Sequence, residues 1–323
     1  MITVKSTRAF SENLLQAARQ QMDAPADALI AQLYTTAGAQ GIAELMQWVG
    51  NPKDSKIPTW GASFFEQQQA LPTWANWQQM QQGIDLFRAN RPEIALLLGC
   101  LSLPYCYAAA DGAQVLYLSQ RLHQDAFKRL QETGAFVFNV TNPLAWKSGE
   151  AIRNILKVRL MHAAIRHYCL QSGRWNNTWG QPINQEDMAG TNLAFSYLII
   201  KGLRKINQAP DDHQAEAYLH LWNVIGCLMG VQESLRPLNL REAFILDKAI
   251  AQRQFKPSEA GKTLTKSLLA AFESLIQPAF LSQVPAAQMR WLLGDQVADL
   301  LDIPSVEIEK KLVRFLPIRL IFG

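Results

Sequence analysis

The residues of this chain that could do chemistry concentrate in one stretch, 150–170, which reads EAIRNILKVRLMHAAIRHYCL. Arg159, His162 and Arg166 stand there at i, i+3 and i+7, so in a helix all three project from one face. A guanidinium cannot shed its charge, and burying two of them on one face demands anionic partners close by. A haem would meet that demand: its iron takes an imidazole nitrogen, and its two propionates take arginines. The alternative is that Arg159 and Arg166 pair with carboxylates on neighbouring helices, such as Glu186, Asp187 or Glu233, around a core histidine. Spacing alone leaves both open.

The element carrying this face must be central. Residues 150–170 are apolar around much of their circumference, as expected of a helix enclosed by others. Downstream, Asn184 is a good N-cap with Asp187 at the reciprocal capping-box position. Gly190-Thr191 then precedes the apolar run Leu193 to Ile200. Thr191 could face a ligand or bond back to its own helix. The segment from His220 to Gly230 reads as a third helix with Gly226 and Gly230 at i and i+4, each costing about 1 kcal/mol against alanine in a helix interior. Something must approach that face closely, either another helix or a flat ring system.

These blocks, Val158-Arg-Leu-Met-His-Ala-Ala-Ile-Arg-His167, then Asn184-Gln-Glu-Asp-Met-Ala-Gly-Thr191, then His220-Leu-Trp with Gly226 and Gly230, resemble the haem-b oxygenase family of latex clearing protein (rubber oxygenase). That family also includes the oxygenase of mycophenolic acid biosynthesis. The resemblance spans about Arg121 to Pro237 and implies an all-helical fold with a globin-like core around one b-type haem. It implies that His162 is the proximal iron ligand, that Arg159, Arg166 and His167 support the haem and its surroundings, and that Thr191 lines its pocket. Upstream, Arg129, Glu132 and Thr133 fall at positions of the distal block, as candidates for steering bound oxygen or protons. Glu132 departs from the family, since rubber oxygenases carry a lysine there that can close on the iron. A carboxylate could instead act as a base or proton relay, or point away. The implied activity is oxygenation of a hydrophobic, unsaturated organic substrate with dioxygen.

Composition agrees with an enclosed site. The chain has 323 residues, 49% of them hydrophobic and 18% charged, enough for a core that buries about three quarters of the unfolded surface. Apolar residues recur at three- and four-residue spacing, and Val115 to Leu118 and Phe136 to Val140 lie inside longer helical periodicities. The expected class is all-α. We read one structural unit, a helical extension over residues 1–90 packed on a haem-binding domain over 91–323. The extension is rich in tryptophan (Trp48, Trp60, Trp74, Trp77), which reads as a cap on the core or as the lining of an apolar entrance. With 31 Lys+Arg against 27 Asp+Glu, spread along the chain, nucleic acid is a poor partner.

Cys100, Cys106, Cys169 and Cys227 have no metal or redox spacing and read as reduced core thiols. Met1 to Leu14 lacks the pattern of a signal peptide, from which a cytoplasmic address is expected. Ile94 to Ala110, broken by Pro104, is too short to span a bilayer, and Leu312 to Phe322 could dock on the domain or touch a membrane surface. Gly261-Lys262-Thr263 lacks the glycine and the strand of a phosphate loop, and His213 and His220 are two turns apart, too far for one metal ion without help.

Overall fold

The computed structural model describes residues 7–51, 56–119, 126–274 and 283–306. Helices account for the regular structure; among the described residues there is no strand, only a single bridge between Ala109 and Phe255. In chain order the α-helices are α1 (Glu12–Arg19), α2 (Ala24–Val49), α3 (Ala62–Gln68), α4 (Trp77–Ala89), α5 (Arg91–Leu97), α6 (Leu103–Ala108), α7 (Ala110–Leu118), α8 (Ala126–Val140) and α9 (Pro143–Lys147). They continue as α10 (Glu150–Gln171), α11 (Gln185–Phe195), α12 (Tyr197–Lys205), α13 (Asp212–Leu228), α14 (Leu240–Gln254), α15 (Glu259–Glu273), α16 (Val284–Leu293) and α17 (Asp295–Leu300). The stretches at 115–118 and 136–140 are helical, as their periodicity predicts.

Local chemistry sets the boundaries. The Asn184 side chain accepts from the Asp187 N–H at 2.9 Å to start α11. Asp187 returns the contact to the Asn184 amide group rather than to its backbone. Asp211 and Gln214 form a complete capping box on α13, satisfying two otherwise orphaned N–H groups. That helix ends before Gly230, which sits at φ +89° while Val231 N–H bonds to Gly226 C=O at 2.8 Å. Gly230 is therefore the left-handed glycine that closes a helix, and not an interior one as its spacing from Gly226 suggests.

The apolar run from Ile94 is not one straight helix. After α5, residues Leu98–Ser102 form a π turn ahead of Pro104, which accommodates a residue with no N–H to donate. Among the described residues no helix is long and apolar enough to cross a membrane.

Two close helix pairings organise the interior. α4 lies on α13, and α2 lies on α10. A Cβ on Gly83 of α4 would stand 2.8 Å from the Ala217 carbonyl oxygen, so glycine there allows near backbone contact. Between α2 and α10, Ile30, Leu45, Trp48 and Phe65 pack with Leu156, Leu160 and Ala163. The Trp48 and Trp60 rings meet edge to face at 5.6 Å, whereas Trp74 and Trp77 are exposed. The larger core joins Phe87, Ile94, Leu97, Tyr218, Trp222 and Phe272. The segment before residue 90 thus supplies walls of the interior.

Candidate functional site

α10 presents its Arg-His-Arg face toward the start of α2. Arg159, 5% exposed, grips Asp23 with both branches of its fork, at 2.6 and 2.7 Å. Its remaining donors reach Gln68 Oε1 at 3.0 Å and the Leu228 carbonyl at 3.2 Å. Arg166, wholly buried, donates from Nε to Asp27 Oδ1 at 2.7 Å. Asp27 also accepts from the Asp23 N–H at 3.0 Å. Burial holds the Asp27 carboxyl above its ordinary range, against the opposing pull of Arg166.

The carboxylates on these arginines are not the ones the sequence suggested. Glu186 and Asp187 are taken by Arg19, at 3.1 and 3.0 Å, and Glu186 also accepts from Arg253 Nε at 2.7 Å and Gln254 at 3.0 Å. The signal for Asp23 and Asp27 was present as a helix start, Asp23-Ala-Pro-Ala-Asp27, with proline at the second helical position and acids one turn apart. Nothing local links it to a helix more than a hundred residues on.

His162 lies between the two ion pairs. Burial lowers its pKa to about 4, the nearby Arg166 charge acts in the same direction, and Asp23 opposes both. The imidazole is therefore neutral at physiological pH, with a lone pair free to accept from a donor or to bind a metal. Part of the ring stays accessible, yet its Nδ1 is buried with no hydrogen-bond partner. Two more buried nitrogens nearby in sequence share this condition, Arg166 NH2 and His167 Nε2. His167 rests on α2 as well, its ring centre 4.6 Å from that of Tyr34. Buried polar atoms are nearly always satisfied, so His162 Nδ1 and Arg166 Nη2, one turn apart on the same face of α10, are groups that could still take a partner.

The backbone beside Arg166 is strained. Ile183 lies at φ +50°, a conformation a β-branched residue rarely adopts, and its carbonyl accepts from Arg166 NH1 at 3.3 Å. That residue delivers the chain to the Asn184 cap, coupling α10 to the start of α11.

The remaining sequence-predicted residues are on other elements. Thr191 on α11 donates to the Asp187 carbonyl at 2.8 Å, the back-bonded arrangement, and its hydroxyl also engages the Cys106 thiol on α6. Arg129, Glu132 and Thr133 are on α8, which packs against α10. Glu132 is exposed and Thr133 half-buried. The Arg129 side chain lies outside the described residues, as do residues 312–322. Gly226 is approached by the Asn192 side chain, 3.0 Å from where a Cβ would be, so a helix takes the close approach there. The four cysteines are free, and His220 accepts from the Asn76 N–H at 3.0 Å.

The sequence model described as "ER-bound oxygenase mpaB/B'/Rubber oxygenase, catalytic domain" matches residues 93–318, well over half of the chain. The chain belongs to this family. Members of the mpaB and rubber oxygenase family include the rubber oxygenase of Streptomyces sp. (strain K30), to which the chain is 24% identical over 298 residues, covering 90% of the chain and 73% of that protein. In fold it resembles latex clearing protein in its closed state, with a TM-score of 0.79 at 24% identity, covering 94% of this chain and 83% of the other. The all-α, single-domain architecture is thus the family's. Residues 93–318 contain His162 and both its flanking arginines, while Asp23 and Asp27 come from the segment before them.

Proposed function

We propose that this protein is a haem-b-dependent oxygenase that uses dioxygen to oxidise a hydrophobic, unsaturated organic substrate. The observation that carries this reading is His162: a neutral imidazole with an unpaired interior nitrogen, flanked by two guanidinium groups on the helix that the family's catalytic domain contains. When bound, haem supplies the oxygen chemistry, and the protein sets its ligand, polarity and access.

His162 would hold the haem iron. Arg166 NH2, buried and unpaired, is the donor that would meet a haem carboxylate, a charge-assisted bond of the stronger kind. Arg159 is fully engaged by Asp23, Gln68 and Leu228, so its part is to hold α10 against α2. His167, packed on Tyr34, would brace α10 against α2 beside that face, and Thr191 would line the pocket from α11. On α8, Arg129, Glu132 and Thr133 would steer oxygen and protons. Residues 1–90 would act as an extension that completes the domain formed by 91–323.

The neutralisation of both arginines by Asp23 and Asp27 favours a second reading, a haem-free helical protein in which this face is structural. Oxygen uptake separates the two functionally. Haemin-reconstituted protein is mixed with squalene or its saturated analogue squalane, and with a panel of shorter terpenoid alkenes. Uptake with alkenes alone, abolished by His162→Ala, is the expected result; no uptake with any alkene sets the oxygenase reading aside.

A further inference from the structure

Away from His162, one concavity combines charge with apolar surface. It is a cleft of about 550 Å³ where the end of α4, the start of α5 and the junction of α8 with α9 meet, walled by Arg88, Arg91, Phe138, Pro143 and Leu144. That volume falls within the range of about 300–1,000 Å³ typical of small-molecule sites.

Neither arginine is neutralised to any extent that matters. Arg88 reaches Asp85 at 4.0 Å with both side chains more than half exposed, a pair that contributes little in water. Arg91 has no carboxylate partner among the described residues and lies over the Phe138 ring, 5.1 Å from its centre. It opens α5, where the helix dipole disfavours a cation, so helix stability does not account for it. The apolar wall is also open to solvent. Leu144 is 69% exposed and Phe138 43%, both lining the cleft, although the Phe138 ring meets Phe87 edge to face on its other side.

A molecule with an anionic head and an apolar chain satisfies both sets at once. We propose that this cleft binds an amphipathic carboxylate, its head between Arg88 and Arg91 and its chain along Phe138, Pro143 and Leu144. The planar guanidinium fork matches a carboxylate geometrically, and two guanidinium groups without a close counter-charge draw an anionic head to this end of the cleft. Phe138 follows Thr133 by five residues on α8, about 7.5 Å along the axis, so the cleft neighbours the distal candidates without containing them. The proposal does not rest on the haem reading, because the cleft uses none of its residues.

The test is isothermal titration of the full chain, with and without added haemin, using decanoate below its micelle concentration. Acetate and decanol serve as head-only and chain-only probes. One equivalent of decanoate is expected to bind, at least tenfold more tightly than either control. The Arg88→Gln/Arg91→Gln double variant and Leu144→Asp should each weaken it at least tenfold, with Arg88→Lys/Arg91→Lys retaining part. All these positions are exposed, and circular dichroism checks that the variants fold. Absent decanoate binding, or equal affinity in the Arg88→Gln/Arg91→Gln variant, overturns the proposal. So does cosedimentation with phosphatidylglycerol vesicles that depends on these arginines while free decanoate does not bind.

Discussion

Removing Asp23 should expose how much the Arg-His-Arg face depends on its counter-charges. In Asp23→Ala the Arg159 guanidinium loses two charge-assisted bonds of 2.6 and 2.7 Å at a position 5% exposed. Breaking a buried pair by deleting one partner costs about 3–5 kcal/mol, because the remaining charge is left buried. Gln68 and the Leu228 carbonyl still accept from Arg159, which places the expected loss near the lower end, about 3 kcal/mol. Asp23 makes no side-chain capping bond to α2, so no cap energy is mixed into that figure. Gly230 leaves no slack on the other side, since a Cβ there would stand 2.6 Å from Asp23 Oδ2.

Urea unfolding followed by circular dichroism measures the change, and a melting scan should fall by roughly 4–5 °C. Asp23→Ala combined with Arg159→Met should recover most of the loss, since an apolar replacement for both partners is often close to neutral. A loss below about 1 kcal/mol in Asp23→Ala, or a double variant no better than the sum of its parts, would refute the reasoning.

Gly83→Ala places a methyl 2.8 Å from the Ala217 carbonyl and 3.0 Å from Leu221 Cβ. Overpacking of about 1–3 kcal/mol should outweigh the gain of about 1 kcal/mol in helix propensity, lowering the urea midpoint. Around Glu186, the carboxylates of Asp187, Asp111 and Glu12 join it in facing two guanidinium groups, Arg19 and Arg253. Burial raises the Glu186 pKa to about 7, against the pull of Arg19. Because the folded state holds this proton more tightly than the unfolded one, its contribution is fully present below pH 4.5 and is lost as pH rises to about 7. Glu186→Gln should remove that decline from a stability-versus-pH series, at about 1.4 kcal/mol per pKa unit; an unchanged slope would assign it elsewhere. Burial also pushes the Cys100 and Cys106 thiols to about 12, so a disulfide reagent should leave both unlabelled in the native protein and label all four cysteines in urea. Rapid native labelling of Cys100, which is buried where Cys106 is only partly so, would contradict that burial.

What the sequence made legible was local. The Asn184 cap, the helical periodicity through residues 136–140 and the shared face of Arg159, His162 and Arg166 all depend on neighbours within two turns. Gly230 was misread because a helix-closing glycine and an interior one have the same spacing, and only its positive φ separates them. The ion-pair partners were hidden for a different reason. Asp23 and Arg159 are 136 residues apart, and several carboxylates could satisfy the same guanidinium until packing of α2 on α10 selects one. The family resemblance implied roles that spacing could not, among them a pocket position for Thr191, whose observed back-bond to Asp187 is the commoner use of a helical threonine.

The oxygenase proposal stands or falls with haem binding at His162. Purified wild-type protein and His162→Ala, each examined by absorption spectroscopy before and after haemin addition and then by pyridine haemochrome assay, test it most directly. A Soret band with near-stoichiometric b-type haem is expected in the wild type, and loss of most haem in the variant. A wild-type protein that stays colourless when haemin is offered, or a variant with unchanged haem content and spectrum, would contradict it.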